Sequence, residues 1–177
     1  MRRMIFGYGV VSGAIIIGAM ILTLGLVDKQ GSLPILQIVG YLIMFAALMV
    51  IFVGIKRYRD RELGGVIRFG TAMLLGLGIS AVAGVIYVAV WEVNLAATDF
   101  AFIDEYTEAA IEGQVAAGVT GTELEAYRAE METFKEEYRI PVRRLPMTFL
   151  EIFPVGLLIT LVSAALLRNS DFLPKAG

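Results

Sequence analysis

The chain has 177 residues, of which 58% are hydrophobic and 18% are charged, whereas soluble domains average about 45–50% apolar and about 25% charged residues. Because the apolar residues are grouped in long blocks, this composition indicates a membrane protein rather than a soluble domain with a large core. With 15 basic and 17 acidic residues and neither cysteine nor histidine, the chain has no net basic charge for nucleic acid, and disulfides, thiolate zinc sites and imidazole catalysis are excluded.

Four segments are long and apolar enough to be transmembrane helices. A helix needs about 20 mostly apolar residues to cross a hydrocarbon core of roughly 30 Å. The segments that meet this requirement are residues 4–27, 35–55, 66–91 and 147–167. We therefore predict an all-α fold, an integral membrane bundle of four transmembrane helices that forms a single membrane domain over residues 1–177.

The distribution of lysine and arginine predicts how the bundle is oriented. Nine of these residues cluster at one end of the predicted spans: Arg2, Arg3, Lys56, Arg57, Arg59, Arg61, Arg68, Arg168 and Lys175. The short connection at the other end has only Lys29, which Asp28 balances. Because basic connections stay on the cytoplasmic side, both termini are expected in the cytoplasm. Residues 92–146, with twelve acidic and five basic residues, are then an extracytoplasmic insertion.

Small residues recur every four positions in three of the predicted spans. They are Gly9 with Gly13 and Ala14 with Gly18 in the first, Ala72, Gly76, Ser80 and Gly84 in the third, and Gly156, Thr160 and Ala164 in the fourth. This spacing lets helix backbones approach closely in a membrane. We expect packing inside one bundle, with contact to a ligand or to a second copy as the alternative.

The connection after the second span is strongly basic, through Lys56, Arg57, Arg59 and Arg61. The positive-inside rule accounts for most of this charge. Binding of an anionic lipid headgroup is a second role that the same side chains are suited to.

The insertion between spans three and four is predicted to form a helical hairpin. Its first helix runs from Phe100 to about Ala117 with Asp99 as N-cap, and Thr122 with Glu125 has the capping-box spacing for a second helix. That second helix carries one apolar stripe, formed by Leu124, Tyr127, Met131, Phe134 and Tyr138. The stripe is expected to pack on the first helix of the hairpin. Contact with a partner protein or a second copy is the alternative, and a position flat on the membrane is disfavoured by the acidic polar face.

Glu151 is a carboxylate inside the predicted fourth span, three residues before Pro154. An ionised group at mid-bilayer costs about 2.5–3.5 kcal/mol on insertion scales, and less near the interface. At this depth the carboxylate can reach headgroups, water, or a neighbour such as Arg143, Arg144 or Tyr87. A structural or interfacial carboxylate is one interpretation, and a proton or cation site lined by Glu151 and Glu92 beside the Pro154 break is the other. No motif indicates a metal site or any other cofactor.

A series of short motifs resembles a known bacterial membrane family. It comprises Gly-Ile-Lys-Arg-Tyr-Arg-Asp at 54–60, Gly64-Gly65, Phe69, Ala72, Gly76, Tyr87, Trp91, Asp99-Phe100 and Tyr106. The family is catalogued as domain of unknown function 4199. The resemblance implies four spans and a bacterial cytoplasmic membrane, and it supplies no reaction, ligand or catalytic residue.

The sequence favours a non-enzymatic multi-pass protein of the bacterial inner membrane. The leading hypothesis is an accessory or interaction subunit, whose partners are membrane lipids and either another protein or a second copy of the chain. The alternative is a small transporter or ligand-binding bundle centred on Glu151. An intramembrane enzyme ranks below both because no acid–base or nucleophile pair is identified.

Overall fold

A computed structural model describes residues 1–26 and 33–175 of the chain. Within these ranges it contains seven helices and no strand, which confirms the all-α prediction. The helices are α1 (Arg2–Leu26), α2 (Leu33–Leu48), α3 (Val50–Glu62), α4 (Phe69–Ala97), α5 (Ala101–Ala116), α6 (Gly121–Tyr138) and α7 (Pro141–Leu167). The predicted connection at Asp28 and Lys29, and the last residue of the first predicted span, lie outside the described residues.

Four helical segments of the described chain are long and apolar enough to cross a membrane, as the sequence predicts. They are Arg2–Ile21, Ile38–Glu62, Phe69–Ala97 and Pro141–Leu167. The second combines α2 and α3, which meet at Met49 without losing helical bonding. The Met49 N–H donates to the Phe45 carbonyl at 3.1 Å, and the Met49 carbonyl accepts from the Val53 N–H at 3.4 Å.

The basic segment after the second span is helical, so its assignment to a connection is wrong. Residues 56–62 continue α3, because Lys56 and Asp60 form an i,i+4 ion pair at 2.6 Å and basic side chains are favourable in the last turn of a helix. Gly64 (φ 71°) and Gly65 (φ 104°) then end the helix in left-handed conformations that favour glycine.

The chain divides into two compact units. The first comprises Met1–Tyr87 and Phe149–Gly177, and the second is Val88–Thr148. The second unit therefore encloses the predicted insertion 92–146 together with the last residues of α4 and the first of α7.

Glycines in the first unit mark close contacts of α4 with α1 and α7. A Cβ at Gly9 would meet the Val82 side chain at 2.6 Å, and one at Gly76 would meet the methyl group of Thr160 at 2.5 Å. At Gly156 it would lie 1.9 Å from the hydroxyl of Ser80. Gly9, Gly76 and Gly156 therefore serve packing inside one bundle, as expected, because each one admits a side chain of the facing helix. Ala14 and Gly18 are exposed, so the expected packing is not seen for that pair.

The α5 and α6 helices of the second unit begin differently from the prediction. The α4 helix continues to Ala97, and Phe100 rather than Asp99 precedes α5, with a left-handed backbone (φ 62°) and no side-chain cap bond. Thr122 lies within α6, so it does not form the predicted capping box; Thr120 occupies the N-cap position, again without a side-chain bond. The predicted capping residues therefore do not set the starts of these helices. The end of α4 at Ala97 precedes the start of α5, and the turns at Gly118 and Gly121, both of which have positive φ, precede and begin α6.

Candidate functional site

Glu151 lies on the outward face of α7. Its side chain is exposed, as are those of Pro154 and Leu158 at the following three- and four-residue steps, and α7 is helical throughout. The opposite face, with Ile152 and Thr160, is fully buried. Glu151 and Pro154 therefore share a surface of the bundle and do not point into its interior.

The partner of Glu151 is one of the three neighbours that the sequence suggests. The Tyr87 hydroxyl donates to Glu151 Oε2 over 3.4 Å, which is long for an O–H···O bond. Arg143 instead pairs with Glu137. This arrangement leaves most of the Glu151 carboxylate facing outward from the first unit.

The hydroxyls of Ser80 and Thr160 are fully buried where α4 packs on α7. Neither has a hydrogen-bond partner within the described chain. Ser80 of α4 fills the space above Gly156 of α7, and Thr160 of α7 fills the space above Gly76 of α4. Each of these antiparallel helices therefore offers a glycine to a hydroxyl side chain of the other. The contact is therefore closely packed, with no room for an ion between these four residues.

Removing these two hydroxyls should leave the protein stable. Because neither makes a hydrogen bond, Ser80→Ala and Thr160→Val are expected to keep the free energy of unfolding within about 1 kcal/mol of wild type, or to raise it. Denaturation in mixed detergent micelles measures this value. Gly156→Ala, which must displace Ser80, is the matched control and should destabilise. A loss of more than about 2 kcal/mol in Thr160→Val would contradict dry packing, since it would indicate a polar partner of that hydroxyl.

Glu92 and Arg144 form a bidentate ion pair in the second unit. Arg144 Nε lies 2.7 Å from Glu92 Oε1, and Nη2 lies 2.6 Å from Oε2. The third nitrogen, Nη1, donates to the Tyr138 carbonyl at 2.8 Å, and the guanidinium stands 5.0 Å from the centre of the Phe100 ring. Both oxygens of Glu92 are thus occupied, so it acts as the counter-ion of Arg144 rather than as a vacant ion ligand.

Aromatic side chains link α4, α5 and α6 within the second unit. Trp91 contacts Phe102 edge-on at 4.8 Å between ring centres and donates its indole N–H to the Tyr138 hydroxyl at 2.8 Å. Tyr106 of α5 contacts Phe134 of α6, with 6.2 Å between their ring centres. Beside them, a hydrogen bond from Lys135 lowers the pKa of the Asp104 carboxyl, across a 2.7 Å ion pair.

The predicted partner-contact stripe on α6 lies partly within these contacts. Leu124, Tyr127, Met131 and Phe134 are half-buried and Tyr138 is buried. The contacts of Phe134 and Tyr138 favour packing inside the second unit, the first alternative from the sequence. That the stripe also meets a partner stays a prediction.

Arg59 is fully buried and is not free to bind a lipid headgroup, contrary to its place in that prediction. Its Nε contacts Asp60 Oδ1 at 2.7 Å, and its Nη1 donates to the Phe172 carbonyl at 2.9 Å. The carbonyls of Leu167 and Leu173 also accept from it. The three carbonyl acceptors lie more than a hundred residues along the chain, so no local sequence signal reveals them.

The other three basic residues of the predicted headgroup set lie at the surface of α3. Lys56 pairs with Asp60, Arg57 Nη1 donates to the Tyr8 hydroxyl at 3.2 Å, and Arg61 is exposed. They line a shallow depression of about 230 Å³ together with Val53 and Asp60.

Comparison with known proteins identifies the family but not an activity. The model of the family described as protein of unknown function (DUF4199) matches residues 6–169, nearly the whole chain. No curated protein and no solved structure matches the chain. The motifs at 54–60 and 64–65, whose residues fix the end of α3, fall within the matched range. The chain therefore belongs to the DUF4199 family of proteins of unknown function.

Proposed function

We propose that this protein is a non-enzymatic accessory subunit of the bacterial inner membrane, with both termini in the cytoplasm and 92–146 outside. In this role it holds a partner protein through the outward face of α7. The observation that carries the proposal is the position of Glu151, a carboxylate exposed on the surface of a helix that is apolar enough to span a bilayer.

The depth of Glu151 makes a partner energetically useful. With the inner end of the span at Leu167, Glu151 is sixteen residues up the helix, about 24 Å along its axis and so roughly 6 Å inside a core of about 30 Å. The long bond from Tyr87 compensates little of the desolvation of a carboxylate. A donor or cation on a neighbouring helix would satisfy it, which is how polar residues join helices in membranes.

The second unit supports the same role. Its helix pair has its own ion pairs and aromatic contacts, so it holds a defined shape. Phe102 and Tyr106 nevertheless keep 38% and 39% of their surface exposed, and aromatic side chains are enriched at protein interfaces.

The alternative, a transporter or ligand-binding bundle centred on Glu151, has weaker support. It requires a polar path inside the bundle. The buried hydroxyls of Ser80 and Thr160 pack on glycines, and Glu151 faces the other side of α7. A site for a bound molecule would have to lie on the outer surface, where a partner helix fits equally well.

Native mass spectrometry of the protein extracted gently from its own membrane tests the proposal. We expect a second polypeptide on the wild-type protein, and its loss in Glu151→Gln, because that change removes the charge while keeping the shape. Leu158→Ala, on the same exposed face two turns away, is the matched control and should retain the partner.

Two other outcomes would count against the accessory role. If the wild-type protein were a monomer with a bound small molecule, and Glu151→Gln did not bind that molecule, the result would favour the ligand-binding alternative. A partner that Glu151→Gln retains as fully as wild type would show that α7 is not the docking face. Since Glu151 is exposed, neither result would be explained by misfolding, and thermal denaturation of each variant checks this.

A further inference from the structure

The outer face of α2 and α3 combines a long apolar stripe with a basic end. Leu42, Phe45, Met49 and Val53 follow one another at three- and four-residue steps, and each keeps 42–63% of its surface exposed. Lys56, Arg57 and Arg61 continue the same line over the last two turns of α3. One helix face therefore passes directly from apolar to cationic.

Within the residues that the structure describes, Arg57 and Arg61 form no ion pair at this end. Asp60 is the carboxylate in the depression, and its two oxygens are already held by Lys56 at 2.6 Å and by the buried Arg59 at 2.7 Å. In the described part of the chain, Arg57 and Arg61 have no carboxylate within 4.0 Å. The Tyr8 hydroxyl, which accepts from Arg57, orients that side chain without neutralising it.

We propose that this face binds an anionic phospholipid, with its phosphate between Arg57 and Arg61 and an acyl chain along Val53, Met49 and Phe45. The depression at the end of α3 receives the headgroup. Two guanidinium groups one helical turn apart present several N–H donors to phosphate oxygens. Their planar arrangement of donors matches a phosphate better than the point charge of a lysine ammonium does. The exposed stripe supplies a surface that a free phosphate ion would not use.

Lipid titration followed by native mass spectrometry tests this site. Delipidated protein is titrated with phosphatidylglycerol and with phosphatidylcholine of the same acyl chains. We expect the wild-type protein to prefer phosphatidylglycerol, and Arg57→Gln with Arg61→Gln to weaken its binding about 10- to 30-fold, since each basic side chain near a membrane surface contributes to anionic lipid binding. Binding of phosphatidylcholine should stay unchanged.

The control is the double variant Arg2→Gln with Arg3→Gln, which removes the same charge from α1. Equal weakening by both double variants would overturn the site and leave only general surface charge. Inorganic phosphate that displaces phosphatidylglycerol at equal concentration would overturn the lipid assignment. Val53→Asn should weaken the binding of phosphatidylglycerol and of phosphatidylcholine to the same extent. Unchanged binding of both lipids would contradict the proposed position of the acyl chain.

Discussion

Arg59→Met is expected to destabilise the protein by about 3–5 kcal/mol, the range for removing one partner from a buried ionic network. The guanidinium is fully buried and joins Asp60 to the carbonyls of Phe172 and Leu173. Its loss leaves the buried Leu167 carbonyl and the part-buried Phe172 and Leu173 carbonyls without this donor. Unfolding in mixed detergent micelles measures the change.

A local readout separates this role from general packing. Arg59 ties the segment after α7 to the end of α3, so its removal should release residues 168–175 and make them accessible to carboxypeptidase. Arg59→Lys is not expected to restore protection, because one ammonium cannot reach carbonyls that a planar fork contacts at several points. Arg61→Met, an exposed neighbour on the same helix, is the control. Wild-type protection of the segment in Arg59→Met would contradict the assignment.

This network gives a physical role to the motif that carries the family resemblance. Gly54 admits the Ile79 side chain, which a Cβ would meet at 2.8 Å, and Gly65 returns its N–H to the Arg59 carbonyl at 2.9 Å. Between them, Arg59 and Asp60 join the helix end to the carboxyl-terminal segment. The motif therefore has a structural function in positioning the two chain segments.

The spans could be predicted from the sequence because hydropathy over about 20 residues is a strong signal. Their ends could not. The polar residues 56–62 remain helical through the Lys56–Asp60 pair, and α4 passes Trp91 to reach Ala97. Charged residues end an apolar run without ending a helix. Hydropathy therefore predicts which segment crosses the bilayer, but it does not predict where the last helical turn ends.

The polar pairings of the candidate sites could not be predicted from the sequence for a different reason. Glu92 and Arg144 are 52 residues apart, and only the folded helices bring them together. The sequence identifies Glu151 as an unusual residue, but a helix that is apolar on nearly every face does not indicate which side it turns outward. Three-dimensional packing decides both. For Glu151, Gly76 and Gly156 admit Thr160 and Ser80, which places the opposite face of α7 against α4.

The second large effect concerns the pair between Glu92 and Arg144. Arg144→Met is expected to cost about 3 kcal/mol, at the lower end for a broken buried pair because Glu92 keeps 29% of its side chain exposed. The Tyr138 carbonyl would also lose its donor. Fluorescence of Trp91, the single tryptophan of the chain, reports the change, since its indole bonds to Tyr138.

A double-mutant cycle isolates the pair itself. Glu92→Leu with Arg144→Met removes both charges, so this double variant should recover most of the stability that Arg144→Met loses, with a coupling of about 2–3 kcal/mol. Arg143→Met, which breaks the exposed pair with Glu137, should change stability by no more than about 1 kcal/mol. Additive costs at Glu92 and Arg144 would show that the two side chains act independently.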